Sequence, residues 1–124
     1  MDVQTTLQFL EFVAWIESHQ TLARHPKVLR LARALKINKA QAIGHLHLFW
    51  WWTLDYAPHG DVSAFASHEL GQAAERQGDG DHFVNALKES GFLDDDGSVH
   101  DWHDYAGKLV EEREKDRIRK REMR

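Results

Sequence analysis

Residues 81–102 read DHFVNALKESGFLDDDGSVHDW. Phe83, Val84 and Leu87 fall on one face at helical spacing, so a helix is expected over residues 81–90. Gly91 stands where a helix C-terminus favours a residue at ease in the left-handed conformation. Phe92 and Leu93 follow as a short apolar strand. Asp94-Asp95-Asp96-Gly97 is turn chemistry, and Gly97 takes positive φ without a Cβ penalty. Val99 reads as the inward residue of a returning strand. Helix, strand, tight acidic turn, strand is the order of the C-terminal half of a winged helix-turn-helix. The fold class expected is mainly α with a small β-sheet of two or three strands. No residue in this stretch looks like a catalyst, so the question becomes what the module binds.

Upstream, Asp61-Val62-Ser63 supplies a first short strand. A helix is expected over residues 67–76, with Ser67 as its cap and Leu70, Ala73 and Ala74 inward. Gly71 weakens it by about 1 kcal/mol relative to Ala. Gln77-Gly78-Asp79-Gly80 forms the turn before the next helix, whose N-terminus suits the charge of Asp79 or Asp81. Further back, Pro26 is a good first helical residue. Val28, Leu31, Ala32 and Leu35 then form one stripe, with Lys27, Arg30 and Arg33 opposite. Asn38 and Gln41 have the spacing of a capping box. From Leu46 onward the helix they open is apolar on every side, which predicts a buried central helix. The rings of Trp50, Trp51 and Trp52 point about 100° apart and cannot share one wall. A core position ranks first for them, a subunit interface second and base stacking third. Leu7, Leu10, Val13 and Ala14 suit a short N-terminal helix, while Val13, Trp15 and Glu17 against Ala14, Ile16 and Ser18 suit a strand; the preferred reading is a short helix, then an extended piece over residues 15–19.

Trp102, Tyr105, Ala106 and Leu109 make a last apolar stripe. Beyond it residues 111–124 are charged on all sides, with Ile118 almost alone among apolar residues. The division expected is a domain over residues 1–110 and a charged helical tail or linker over residues 111–124, leading towards a further part.

A chain of 124 residues fits one domain with a real core. It has no cysteine, which excludes disulfides and thiolate metal sites and makes a reducing cytoplasm the expected compartment. No apolar run reaches the roughly 18 residues of a membrane span, and MDVQTTLQF lacks the basic start of a secretory signal. The net charge of −4 is unevenly spread: +2 over residues 1–60, −9 over residues 61–105 and +3 over residues 106–124.

The nine histidines raise a metal hypothesis that spacing does not support. His45 and His47 diverge on a helix. His100 and His103, with Asp101 and Asp104, lack further ligands. Asp94-Asp95-Asp96-Gly97 lacks the alternating ligands and closing Glu of a calcium loop. Its carboxylates lie in a turn expected to be solvated, and general acid–base work needs burial or a partner group. With no phosphate loop and no nucleophile–base pattern, neither an enzyme nor a cofactor is expected.

Several stretches together carry a family likeness. They are Trp15-Ile16-Glu17, His25-Pro26-Lys27, Ala42-Ile43-Gly44-His45-Leu46, Asp55-Tyr56-Ala57-Pro58, Gly60-Asp61-Val62-Ser63, Gly91-Phe92-Leu93, His100-Asp101-Trp102 and Tyr105-Ala106-Gly107. In this order, over about residues 15–110, the chain resembles the N-terminal winged-helix domain of phage replisome organisers and of the primosome protein DnaD. The resemblance implies a cytoplasmic role in starting DNA replication, by binding DNA or by self-association into a homo-oligomer. A helicase loader is the kind of replication partner implied, and a second DNA-binding domain follows a linker.

The residues modify that expectation. In the usual pose the helix of residues 81–90 enters the major groove, where Asn85 would contact adenine and Lys88 guanine or phosphate. That helix has no Arg, and its wing carries Asp94, Asp95 and Asp96 towards phosphates, which opposes binding. The contacts expected are therefore Arg24, Lys27, Arg30, Arg33 and Lys39 from the front, with Lys115, Arg117, Arg119, Lys120, Arg121 and Arg124 from the tail. The plainer reading of the front cations is a solvated basic face. The alternative function is a protein-interaction module in which the basic front of one copy meets the acidic middle of another and DNA is held by a missing domain.

Overall fold

The computed structural model describes residues 16–122, and for residues 107–114 the backbone alone. The short helix expected over residues 7–14 lies outside the described residues. A 3-10 turn at Gln20–Arg24 leads into α1 (Pro26–Leu35), α2 (Lys39–Tyr56), α3 (Ser67–Ala73) and α4 (Gly80–Ser90). A π-helical turn at His103–Gly107 then runs into α5 (Lys108–Glu122). The described chain is mainly helical, and α4 packs against both α1 and α3.

Local chemistry starts these helices. Pro26 opens α1, and the His25 ring accepts from Lys27 N–H. Asn38 Oδ1 accepts from Gln41 N–H at 2.8 Å while Gln41 Oε1 accepts from Asn38 N–H at 3.2 Å, a complete capping box. Asp79 caps α4 through Asp81 N–H. Ser67 is not the cap of α3. Ala66 holds that place without a side-chain acceptor, and Glu69 reaches back to its N–H. The same helix stops at Ala73, short of the expected residue 76, because Glu75 turns left-handed at φ 58° and Arg76 N–H returns to Gly71 O.

Three short extended stretches lie side by side, at residues 60–62, 92–94 and 98–100. The last is in the middle. Val99 N–H donates to Gly60 O and Val62 N–H to Gly97 O on one side; Asp94 N–H donates to Ser98 O and His100 N–H to Phe92 O on the other. Antiparallel bridges join Asp61 to Ser98 and Leu93 to Val99. The acidic turn between the second and third stretches closes through Gly97 N–H on Asp94 O, with Gly97 at φ 92°. Its Asp96 accepts from Ser98 N–H.

Two glycines matter for packing. A Cβ on Gly80 would stand 2.4 Å from Ser67 O, and one on Gly71 would stand 3.3 Å from Gly80 Cα. The propensity cost of Gly71 therefore accompanies a backbone-to-backbone approach of α3 and α4.

The core gathers Val28, Leu31 and Leu35 of α1, Leu46, Phe49 and Trp50 of α2, Phe83 and Leu87 of α4, and Phe92, Val99 and Trp102 beyond it. Trp50 is wholly buried, stacked on Tyr105 at 4.6 Å and edge-on to Phe92. Among the described residues its indole N–H has no acceptor, so packing must outweigh an unmet donor. Burial, then the charges of Asp101 and Asp104, push the Tyr105 hydroxyl above its usual pKa. The buried hydroxyls of Thr53 and Ser90 bond back to Phe49 O and Ala86 O.

The expectation that α2 is enclosed on every side is corrected. Trp51 is 49% exposed and Tyr56 64%, while Trp52 is half-buried against Phe65. The reason is that the other helices and the extended stretches cover one side of α2 and leave the side bearing Gly44, Trp51 and Asp55 to solvent.

Trp50→Ala should cost about 3–5 kcal/mol of stability in urea titration, and Trp51→Ala less than about 1 kcal/mol. Lys36 at the C-cap of α1 and Glu75 just after the C-cap of α3, both non-glycine residues at φ 58°, give an opposite expectation. Replacing either by Gly should stabilise the domain by up to about 1 kcal/mol, read as a raised melting temperature.

Candidate nucleic-acid interface

α1 places Lys27, Arg30 and Arg33 at three-residue intervals and has no acidic residue. The structure then separates the three. The Lys27 ammonium donates to Gly91 O at 3.2 Å and stands 5.9 Å from the centre of the Phe92 ring. It is half-buried at the C-terminus of α4, where a cation meets the negative end of the helix dipole. Arg30 and Arg33 are exposed and form no ion pair among the described residues.

Both line a groove of about 260 Å³ between α1 and α4, together with Ala34, Glu89 and Ser90. Asn85 is exposed one turn before Glu89, on the same stripe of α4. Lys88 is turned to a different groove, of about 200 Å³. There Val84, Phe65 and Leu93 form apolar walls beside Asp95 and Asp96. Asn85 and Lys88, expected to read bases together, are thus separated: Lys88 lines the hollow of the two carboxylates, and Asn85 does not.

The remaining cations are dispersed. Arg24 ends the 3-10 turn and Lys39 begins α2, both exposed. Lys115, Arg117, Arg119, Lys120 and Arg121 are exposed along α5, with Arg119 bonded to Asp116 at 2.8 Å. Arg124 lies outside the described residues. Glu89 and Ser90 were absent from the expected contacts. Their place beside Arg30 and Arg33 depends on the packing of α1 on α4, which residue spacing does not reveal.

Several histidines serve the framework. His82 Nε2 lies 3.0 Å from Ala34 O, and His45 Nδ1 lies 2.7 Å from Ala74 O. Both bonds require the ring to carry a proton on that nitrogen. His47 turns away from His45, to Ile43 O and Ser18 Oγ. His100 lies between Asp94 at 2.9 Å and Asp101 at 3.5 Å. No group of three or more metal-ligating side chains converges among the described residues. No helix among them is long and apolar enough to cross a membrane.

Comparisons with protein-family models, with curated proteins and with solved structures find no match to this chain.

Lys27→Met should lower stability by about 1–2 kcal/mol, because Gly91 O and the α4 terminus lose their cation. Arg30→Gln and Arg33→Gln should each change it by less than about 0.5 kcal/mol. Urea denaturation of the three variants separates the framework cation from the free ones.

Proposed function

We propose that this chain is a winged helix-turn-helix module that binds DNA in the manner of a phage or prophage replication initiator, by non-specific phosphate contact and assembly on DNA. Arg30 and Arg33 carry this reading. They are two exposed guanidiniums, unpaired among the described residues, on one groove of a helix without acidic residues. Guanidiniums so placed suit phosphate oxygens. The order of α3, turn, α4 and the paired stretches 92–94 and 98–100 supports a winged-helix description. So does the pairing of residues 60–62 with the last stretch.

The direction of approach differs from the usual one. Asp94, Asp95 and Asp96 stand at the tip of the acidic turn, and Lys88 borders the same hollow as two of them. DNA would therefore meet the α1 side, with Arg30 and Arg33 as principal contacts and Asn85 at the edge. The tail cations Lys115, Arg117, Lys120 and Arg121 add a second contact. The reading assigns the protein no reaction and no cofactor.

A second reading is a protein-interaction module, and the groove beside the acidic turn favours it. Its apolar walls and carboxylate rim suit a basic, partly apolar segment better than a polyanion.

Fluorescence anisotropy with random duplex DNA over a salt series tests the first reading. Arg30→Gln with Arg33→Gln should weaken binding at least about tenfold and reduce the magnitude of the log–log salt slope by about 2. Neutralising the tail cations should reduce the slope separately. Absence of binding by the unaltered chain in low salt would end the DNA reading.

A further inference from the structure

We infer that the solvent-facing side of α2 pairs with the same side of a second copy of this chain, antiparallel, about a two-fold axis near Leu48. Gln41, Gly44, Leu48, Trp51 and Asp55 recur at alternating three- and four-residue steps, the spacing of the seam between paired helices. Leu48 is half-buried and the other four are exposed.

Gly44 is the residue that asks for a partner. Glycine weakens a helix interior, and Gly44 lies within α2. At Gly71 and Gly80 a close backbone approach accounts for the glycine, but a Cβ on Gly44 would meet nothing within 4 Å. No contact among the described residues therefore requires a glycine there. Two steps along the same stripe, Trp51 stands half out of the surface and touches only the edge of His47, at 5.8 Å between ring centres. A notch and a bulky ring seven residues apart fit each other twice in a two-fold pair. Each indole then lies over the other copy's Gly44, the self-complementarity that an isologous contact demands.

Charge selects the antiparallel sense. Asp55 lies in the last turn of α2, beside the negative end of the helix dipole, where no basic residue offsets it. It forms no ion pair among the described residues. The first turn of α2 has no acidic residue. Antiparallel pairing brings Asp55 to the positive end of the other helix, next to Gln41. Gln41 Oε1 is taken by Asn38 N–H, which leaves its amide N–H groups to donate to that carboxylate. The two Asp55 side chains stand about 20 Å apart in such a pair, beyond the reach of their mutual repulsion at moderate salt. The stripe carries no cation, so it suits another protein surface rather than phosphates.

With Tyr56 flanking the seam, two such faces bury on the order of 1,000 Å² in total, the lower limit of a specific interface and fitting for a dimer of modest affinity. The contact needs no DNA, so its failure and the failure of the DNA reading are distinguishable.

Sedimentation equilibrium on the full, nuclease-treated chain should show a concentration-dependent dimer that persists in high salt. Gly44→Gln should weaken it at least about tenfold, because the new side chain fills the notch, while raising the melting temperature of the dilute monomer. Trp51→Ala should weaken it by as much, and circular dichroism checks that both variants stay folded. The chain has no cysteine, so introduced cysteines report the geometry. Leu48→Cys should form a disulfide between copies under mild oxidation, and Gln41→Cys mixed with Asp55→Cys should crosslink far more than either alone. A monomer at all concentrations, a dimer indifferent to Gly44→Gln, or Asp55→Cys joining to itself as readily as to Gln41→Cys would overturn the proposal.

Discussion

Among the described residues, three helices end at or just before a left-handed residue, and each end is closed by a donor from another helix. α1 ends at Lys36, with His82 of α4 on Ala34 O. α3 ends ahead of Glu75, with His45 of α2 on Ala74 O. α4 ends at Gly91, with Lys27 of α1 on Gly91 O. Carbonyls at a helix C-terminus have no partner within the helix and carry the negative end of its dipole. A donor arriving from elsewhere satisfies the carbonyl and sets the distance between two helices. α1 and α4 are tied in both directions, which holds the groove of Arg30 and Arg33 at its width.

This arrangement sorts the polar residues. On spacing alone, Lys27, Arg30 and Arg33 are equivalent members of a basic face. The structure makes the first a framework residue and leaves the other two exposed and without an ion pair among the described residues. His45 and His82 are likewise occupied by carbonyls, which explains two of the histidines without metal or catalysis. The exposed polar surface is what remains after the fold has taken the donors it needs.

Charge is divided between two hollows on either side of α4. One faces α1 and is edged by two guanidiniums and the Glu89 carboxylate; the other faces the acidic turn and is edged by two carboxylates and the Lys88 ammonium. Electrostatic forces between such exposed groups act over about a Debye length, near 10 Å at moderate salt. The two faces can therefore attract opposite partners although the chain's net charge is small.

Much of this was readable before any coordinates. Pro26, the Asn38–Gln41 box, Asp79 and Gly91 mark helix ends by chemistry confined to a few neighbouring residues, and all four stand where that chemistry puts them. The stripes of α1 and α4 follow from periodicity in the same way. The early stop of α3 was not readable, because a Glu in the left-handed conformation has no local signature. Nor was the exposure of Trp51, since an apolar run does not say which of its sides a neighbour covers. The roles of Lys27, His45 and His82 depend on contacts between residues 29 to 64 positions apart, and the groove that Arg30 and Arg33 share with Glu89 depends on similarly distant packing. Local sequence determined where the helices begin and most of where they end. Only tertiary packing decided which cations remained free, because a donor is consumed or spared by the carbonyl that the fold brings to it.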